Sequence, residues 1–106
     1  MEQREYLRQV LEAYCATPGT AGVVRRTDRF FATQMYDRGV PLTTVENALI
    51  LAAARRSARP ADAAPLGTIR SLAYFAPVIE EVLQLKVGPE YFRHLRNKLQ
   101  RSTPAR

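Results

Sequence analysis

The stretch TTVENALILAAARRSA, residues 43–58, decides the fold. Its middle, Ala48 to Ala54, carries no polar side chain. A surface helix shows a single apolar stripe, whereas a helix that is apolar all round must be covered on most sides. The segment therefore predicts a central helix with the rest of the chain wrapped around it. Thr43, with Glu46 three residues later, has the spacing of a capping box. Pro41 just upstream keeps Val40 extended. Arg55, Arg56 and Arg59 gather at the far end, where the helix dipole favours cations.

Outward from that helix, the periodicity predicts four more. Upstream, a helix over Val23 to Arg38 stops at Gly39 and sends Phe30, Phe31 and Met35 to the core. Arg25, Arg26 and Arg29 project from its first turns, with Asp28 among them damping their field. Before it, Tyr6, Leu7, Val10, Leu11 and Tyr14 recur at helical spacing and predict a helix from Gln3 to Ala16. Thr17, Pro18 and Gly19 end it. Cys15 reads as a small hydrophobe beside the packed face.

Downstream, ARPADAAPLG at 58–67 is a linker within one core. Ile69, Leu72, Ala76, Ile79 and Leu83 then follow at spacings of three and four, a seam for packing on another helix. Tyr74, Phe75, Val78, Val82 and Leu85 add a second apolar side. This predicts a fourth helix over 69–85. Pro77 either kinks it or starts a new helix, and the unbroken apolar register favours a kink. A fifth helix opens at Gly88-Pro89-Glu90. Tyr91, Phe92, Leu95 and Leu99 form its apolar face, and residues 103–106 are a basic tail expected to fray. The expectation is all-α: a compact bundle of about five helices in one domain over residues 1–102.

Composition narrows the class. The 106 residues are 46% hydrophobic and 25% charged, enough for one core without disulfides or metals. No apolar run is long enough to span a bilayer, and the N-terminus lacks the pattern of a signal peptide. Cys15 is the sole cysteine, which suits a reducing cytoplasm. Net charge is +6, and every basic residue except Lys86 and Lys98 is Arg. The planar guanidinium fork matches phosphate oxygens. GC-rich coding yields the same Arg- and Ala-rich composition, so composition leaves both explanations open.

Catalytic chemistry needs converging groups, and few are present. His94 is the only histidine and sits on a basic amphipathic helix. No Cys and His set has metal-ligand spacing. Glu80 and Glu81 are adjacent, so on a helix they point about 100° apart and read as surface charges or partners for nearby Arg. The loop Thr17 to Gly22 lacks the Lys-Ser/Thr of a phosphate loop. No enzyme activity, cofactor or metal is expected.

The segment MYDRGVPLTTVENAL, residues 35–49, resembles a helix-turn-helix. Gly39 takes the turn position and Val45 the buried position of the second helix, while Met35 stands where the pattern prefers Ala. The resemblance implies that Thr43, Thr44, Glu46 and Asn47 reach bases. The order of parts, down to IRSLAYF at 69–75, is similar to the C-terminal domain of primosome loading proteins of the DnaD type and to small accessory proteins of mobile elements. For the former, that likeness implies DNA binding, with single-stranded segments among the targets, and assembly of replication partners. That family closes on a Tyr and Trp signature. This chain has no Trp, and Tyr74 and Phe75 stand in its place.

The functional expectation is a small, non-enzymatic, cytoplasmic DNA-associated accessory protein. Arg25, Arg26 and Arg29 would hold phosphates, as would Arg93, Arg96, Lys98 and Arg101 on the last helix, with Arg55, Arg56 and Arg59 joining them in one positive strip. Tyr91 would stack bases if exposed, whereas Phe92 sits on the apolar face. The alternative is a helical protein-interaction module that dimerises or docks a partner through 69–85, without nucleic acid. No membrane association is expected.

Overall fold

The computed structural model describes residues 1–85 and 89–102, the side chains of Pro89, Arg101 and Ser102 excepted. The expected start signal at Gly88 and the tail 103–106 lie outside the described residues. The chain forms α1 (Gln3–Ala16), α2 (Arg26–Asp37), α3 (Leu42–Ser57), a 3₁₀ turn (Leu72–Phe75), α4 (Ala76–Gln84) and α5 (Pro89–Ser102). The architecture is an all-α bundle of five helices.

α3 is the hub. It packs against α1, α4, α5 and the 3₁₀ turn, so Val45, Ala48, Leu49, Leu51, Ala52 and Ala53 are all buried. Their positions cover more than half the helix circumference, and this is why the run from Ala48 to Ala54 contains no polar residue. α1 buries Tyr6, Val10, Leu11 and Tyr14 at the predicted bounds. α2 lies against α1 and the 3₁₀ turn.

The turn between α2 and α3 is built from backbone. Gly39 sits at φ 76°, the left-handed conformation that residues with a Cβ adopt only under strain. The Gly39 N–H donates to Tyr36 O, and the Val40 N–H to Met35 O. This pair of bonds is a Schellman closure, with Val40 and Met35 both buried against the core. The Tyr6 hydroxyl donates to Val40 O at 2.8 Å and fastens the turn to α1.

Three local expectations change. α3 begins at Leu42 with Pro41 as its N-cap, and no side chain caps it. Pro41 O already accepts the Thr44 and Val45 N–H groups, so Thr43 lies inside the first turn. α2 begins at Arg26 rather than Val23, with Arg25 as its extended N-cap, and the chain ahead of it is bridged to a distant segment. The Ile69 N–H donates to Gly19 O at 2.8 Å, and the Ala21 N–H donates to Ile69 O at 2.9 Å. These bonds form a short parallel bridge between Thr20 and Ile69. The same bridge removes Ile69 from the expected fourth helix. That stretch is an extended approach, then the 3₁₀ turn, then α4, with Pro77 in the first turn of α4. Proline is tolerated there because the first N–H groups of a helix have no intrahelical acceptor.

The seam at 69–85 is largely consumed internally. Ile69, Leu72, Phe75, Ile79 and Val82 belong to the core. Leu83 and Leu85, near the end of α4, remain exposed.

The Tyr14 hydroxyl is buried with no hydrogen-bond partner among the described residues. Removing an unsatisfied buried hydroxyl relieves its desolvation cost. Tyr14→Phe is expected to stabilise the fold by about 1 kcal/mol, read as a higher urea midpoint at unchanged slope. Burial also raises the Tyr14 phenol above its ordinary 10.0, with the Asp28 and Cys15 charges adding to the effect. Burial raises Tyr6 in the same direction. The unfolded phenols therefore ionise first. Their stabilising contribution is complete below pH 10.0 and is lost as pH climbs through the higher folded values. Tyr14→Phe should shallow that alkaline decline.

Candidate nucleic-acid interface

Asp28 organises the basic end of α2. It is 1% exposed. One carboxylate oxygen accepts the Arg25 N–H at 2.8 Å, and the other accepts the Leu72 N–H at 2.9 Å. One buried group thus satisfies an N-terminal donor of α2 and the first donor of the 3₁₀ turn. Among the described residues Asp28 makes no ion pair with the Arg residues around it.

Arg25, Arg26 and Arg29 are exposed, and none has an ion-pair partner among the described residues. Arg29 also lines a groove of about 460 Å³ between α1 and the approach to α2, together with Arg4, Arg8, Glu12, Leu11, Cys15 and Val24. Arg4 is exposed and likewise unpaired among the described residues. Arg70 is exposed on the segment joining Ile69, bonded to Gly19 and Ala21, to Leu72, bonded to Asp28. The fold therefore adds Arg4 and Arg70 to the surroundings of the α2 start. Neither is legible from sequence, because Arg4 is brought in by the packing of α1 on α2 and Arg70 by backbone hydrogen bonds.

The other cations differ in their engagements. Arg8 pairs with Glu5 and with Glu12, Arg38 with Glu80 at 2.7 Å, and Arg55 grips Glu81 with both guanidinium nitrogens. The Arg55 bond holds the Glu81 carboxyl below its ordinary range, and the Arg8 bond does the same for Glu5. Arg56 donates to Gly67 O at 3.0 Å and to the Tyr74 hydroxyl at 3.2 Å, and Arg59 donates to Ala64 O at 2.6 Å. The Arg group at the end of α3 thus pins the linker and α4.

On α5, Arg93 and Arg96 are exposed. Arg96 lines a groove of about 450 Å³ floored by Leu49, Ile50 and Ala53 of α3. Lys98 lines another beside Arg55 and Tyr91. The Arg101 side chain lies outside the described residues. α5 rests on α3, whereas α2 rests on α1 and the 3₁₀ turn, so the two basic groups have different structural neighbours. At the start of α3, Thr43 is exposed while Thr44 and Asn47 are half-buried.

The aromatics also sort themselves. Phe92 is buried and Tyr91 is exposed. Phe30, expected in the core, is instead 64% exposed. Two adjacent aromatics on a helix cannot face the same way. Phe31 takes the inner position, packed against the core beside Ala32 and Met35.

Among the described residues no group of three or more His, Cys, Asp or Glu is placed to hold a metal ion, and no helix is long and apolar enough to cross a membrane. Comparison with protein-family models, with curated proteins and with solved structures finds no match.

Proposed function

We propose that this chain is a small, non-enzymatic, DNA-associated accessory protein that binds the phosphate backbone through the N-terminal end of α2. The observation that carries this reading is the charge accounting at that end. Asp28, the acid within this run, is buried and bonded to two backbone N–H groups, and Arg25, Arg26 and Arg29 are exposed with no ion-pair partner among the described residues. Arg4 stands across the adjoining groove. Glu12 lines the same groove and is paired with Arg8, which also holds Glu5, while Glu80 and Glu81 are paired with Arg38 and Arg55. Arg93 and Arg96 on α5 likewise have no ion-pair partner among the described residues. Cations that neutralise phosphates release condensed counterions, which gives affinity without base reading and a steep dependence on salt.

The test is fluorescence anisotropy with labelled DNA as salt rises. Affinity should fall log-linearly with salt. The combined Arg25→Gln, Arg26→Gln, Arg29→Gln variant should weaken binding and flatten the slope by about 2 to 3, roughly 0.7 to 0.9 for each phosphate no longer neutralised. The Asp28 bonds use the Arg25 backbone, so this variant keeps the helix start intact. An absence of binding at low salt, or an unchanged slope, overturns the reading. The other reading, a protein-docking module working through 69–85, retains Leu83, Leu85 and Tyr74 as its exposed apolar surface.

A further inference from the structure

We propose that Phe30 is a base-stacking platform, which makes the α2 face a site for single-stranded rather than duplex nucleic acid. This inference rests on the polyanion reading above and specifies its ligand. Asp28, Ala32 and Met35 define the buried side of α2. Arg26, Phe30, Thr33 and Asp37 follow one another at steps of four, three and four, so they share the opposite, outward arc. Phe30 has no ring or cation partner among the described residues. In contrast, Tyr74 meets Phe75 edge-on with Arg56 over its ring, and Tyr91 meets Phe92 edge-on. Val23, 57% exposed, lies just before the same helix start.

The occupant follows from what surrounds the ring. Arg26 lies one helical turn away, about 6 Å along the axis. Arg29, the adjacent residue, lies about 100° round the helix on the side of the α1 groove, and neither guanidinium is paired with a described acid. A ligand that satisfies both features carries anionic charge and flat apolar faces at short intervals. Single-stranded nucleic acid has this composition, and stacking on an aromatic ring is open to every base. In a duplex those faces are covered by neighbouring bases. An apolar helix or an anionic lipid surface would require an apolar stripe, but Thr33 and Asp37 continue this arc.

The chain contains no Trp, so Phe30→Trp installs a single fluorescent reporter at an exposed position. It is titrated at low salt with an oligothymidylate, a duplex of equal length, inorganic polyphosphate and phosphatidylglycerol vesicles. The expected result is quenching by the oligothymidylate alone, with duplex binding at least about tenfold weaker. Phe30→Ala should weaken oligothymidylate binding about 5- to 150-fold, the range for loss of one stacked base, and leave polyphosphate binding unchanged. Equal quenching by oligothymidylate and polyphosphate, an unaffected Phe30→Ala, or a response only to vesicles overturns the stacking role. If the Arg variants still lose DNA affinity in that event, the phosphate-binding reading stands alone. Failure of every polyanion to bind overturns both.

Discussion

Asp28→Ala is expected to cost the fold about 4 kcal/mol. Each of its oxygens makes a hydrogen bond from a carboxylate to a backbone N–H, a class worth about 1.5 to 3 kcal/mol. Alanine leaves both donors without their partner, and the Leu72 donor lies in a buried region. The loss is large beside the roughly 5 to 15 kcal/mol that stabilises a domain of this kind. Asp28→Asn should recover about half of it, because the amide retains one accepting oxygen but turns an NH₂ toward the other donor. Urea unfolding of the three proteins measures this. A loss under about 1 kcal/mol for Asp28→Ala would show that the carboxylate does not join α2 to the 3₁₀ turn. Under the proposed function, near the midpoint of the weakened protein DNA affinity should fall with the folded fraction while Arg25, Arg26 and Arg29 remain in place.

Phe75→Ala should destabilise by a similar amount, about 4 kcal/mol, for a different reason. The ring is fully buried, with edge-to-face contacts to Tyr14 at 6.2 Å and Tyr74 at 5.2 Å. Truncation loses the transfer energy of the ring and leaves a cavity that surrounding helices fill only partly. The aromatic pairs add about 0.5 to 1.5 kcal/mol beyond buried area. Phe75→Leu, which fills most of the space, should cost about 1.5 kcal/mol. Equal losses for the two variants would mean that the site collapses freely and that no fixed cavity forms. Chemical denaturation distinguishes these outcomes, since the linear slope should stay constant across the series.

The parts of the fold legible in sequence are those set by local pattern. α1 carries its own apolar stripe and its own stop, and its bounds emerge unaltered. α3 is apolar around most of its circumference, and it is the element every other helix except α2 packs against. Glu80 and Glu81 read as surface charges or partners of nearby Arg, and Arg38 and Arg55 are those partners. What local pattern misses is set at a distance. Ile69 matches a helical seam, but its backbone is committed to Gly19 and Ala21, about fifty positions upstream. Asp28 sits in a run of Arg and reads as a surface charge, although its partners draw it inside. Phe30 and Phe31 are equivalent as letters, and only the packing of α2 on α1 and the 3₁₀ turn decides which ring turns outward. At the candidate site, therefore, the Arg residues of α2 could be read in advance. The burial of Asp28 among them, the company of Arg4 and the outward turn of Phe30 could not.

The stretch between α3 and the 3₁₀ turn offers evolution a place to experiment. Residues 59–68 are almost entirely exposed, and their anchors are few: Arg56 on Gly67, Arg59 on Ala64, and the Ile69 bridge at the far end. Doubling the length of such a connection costs only about 0.6 kcal/mol in closure entropy. The chain should therefore accept inserts between Pro60 and Leu66, even a whole appended module, while the bundle and its Arg-bearing edge keep their present form.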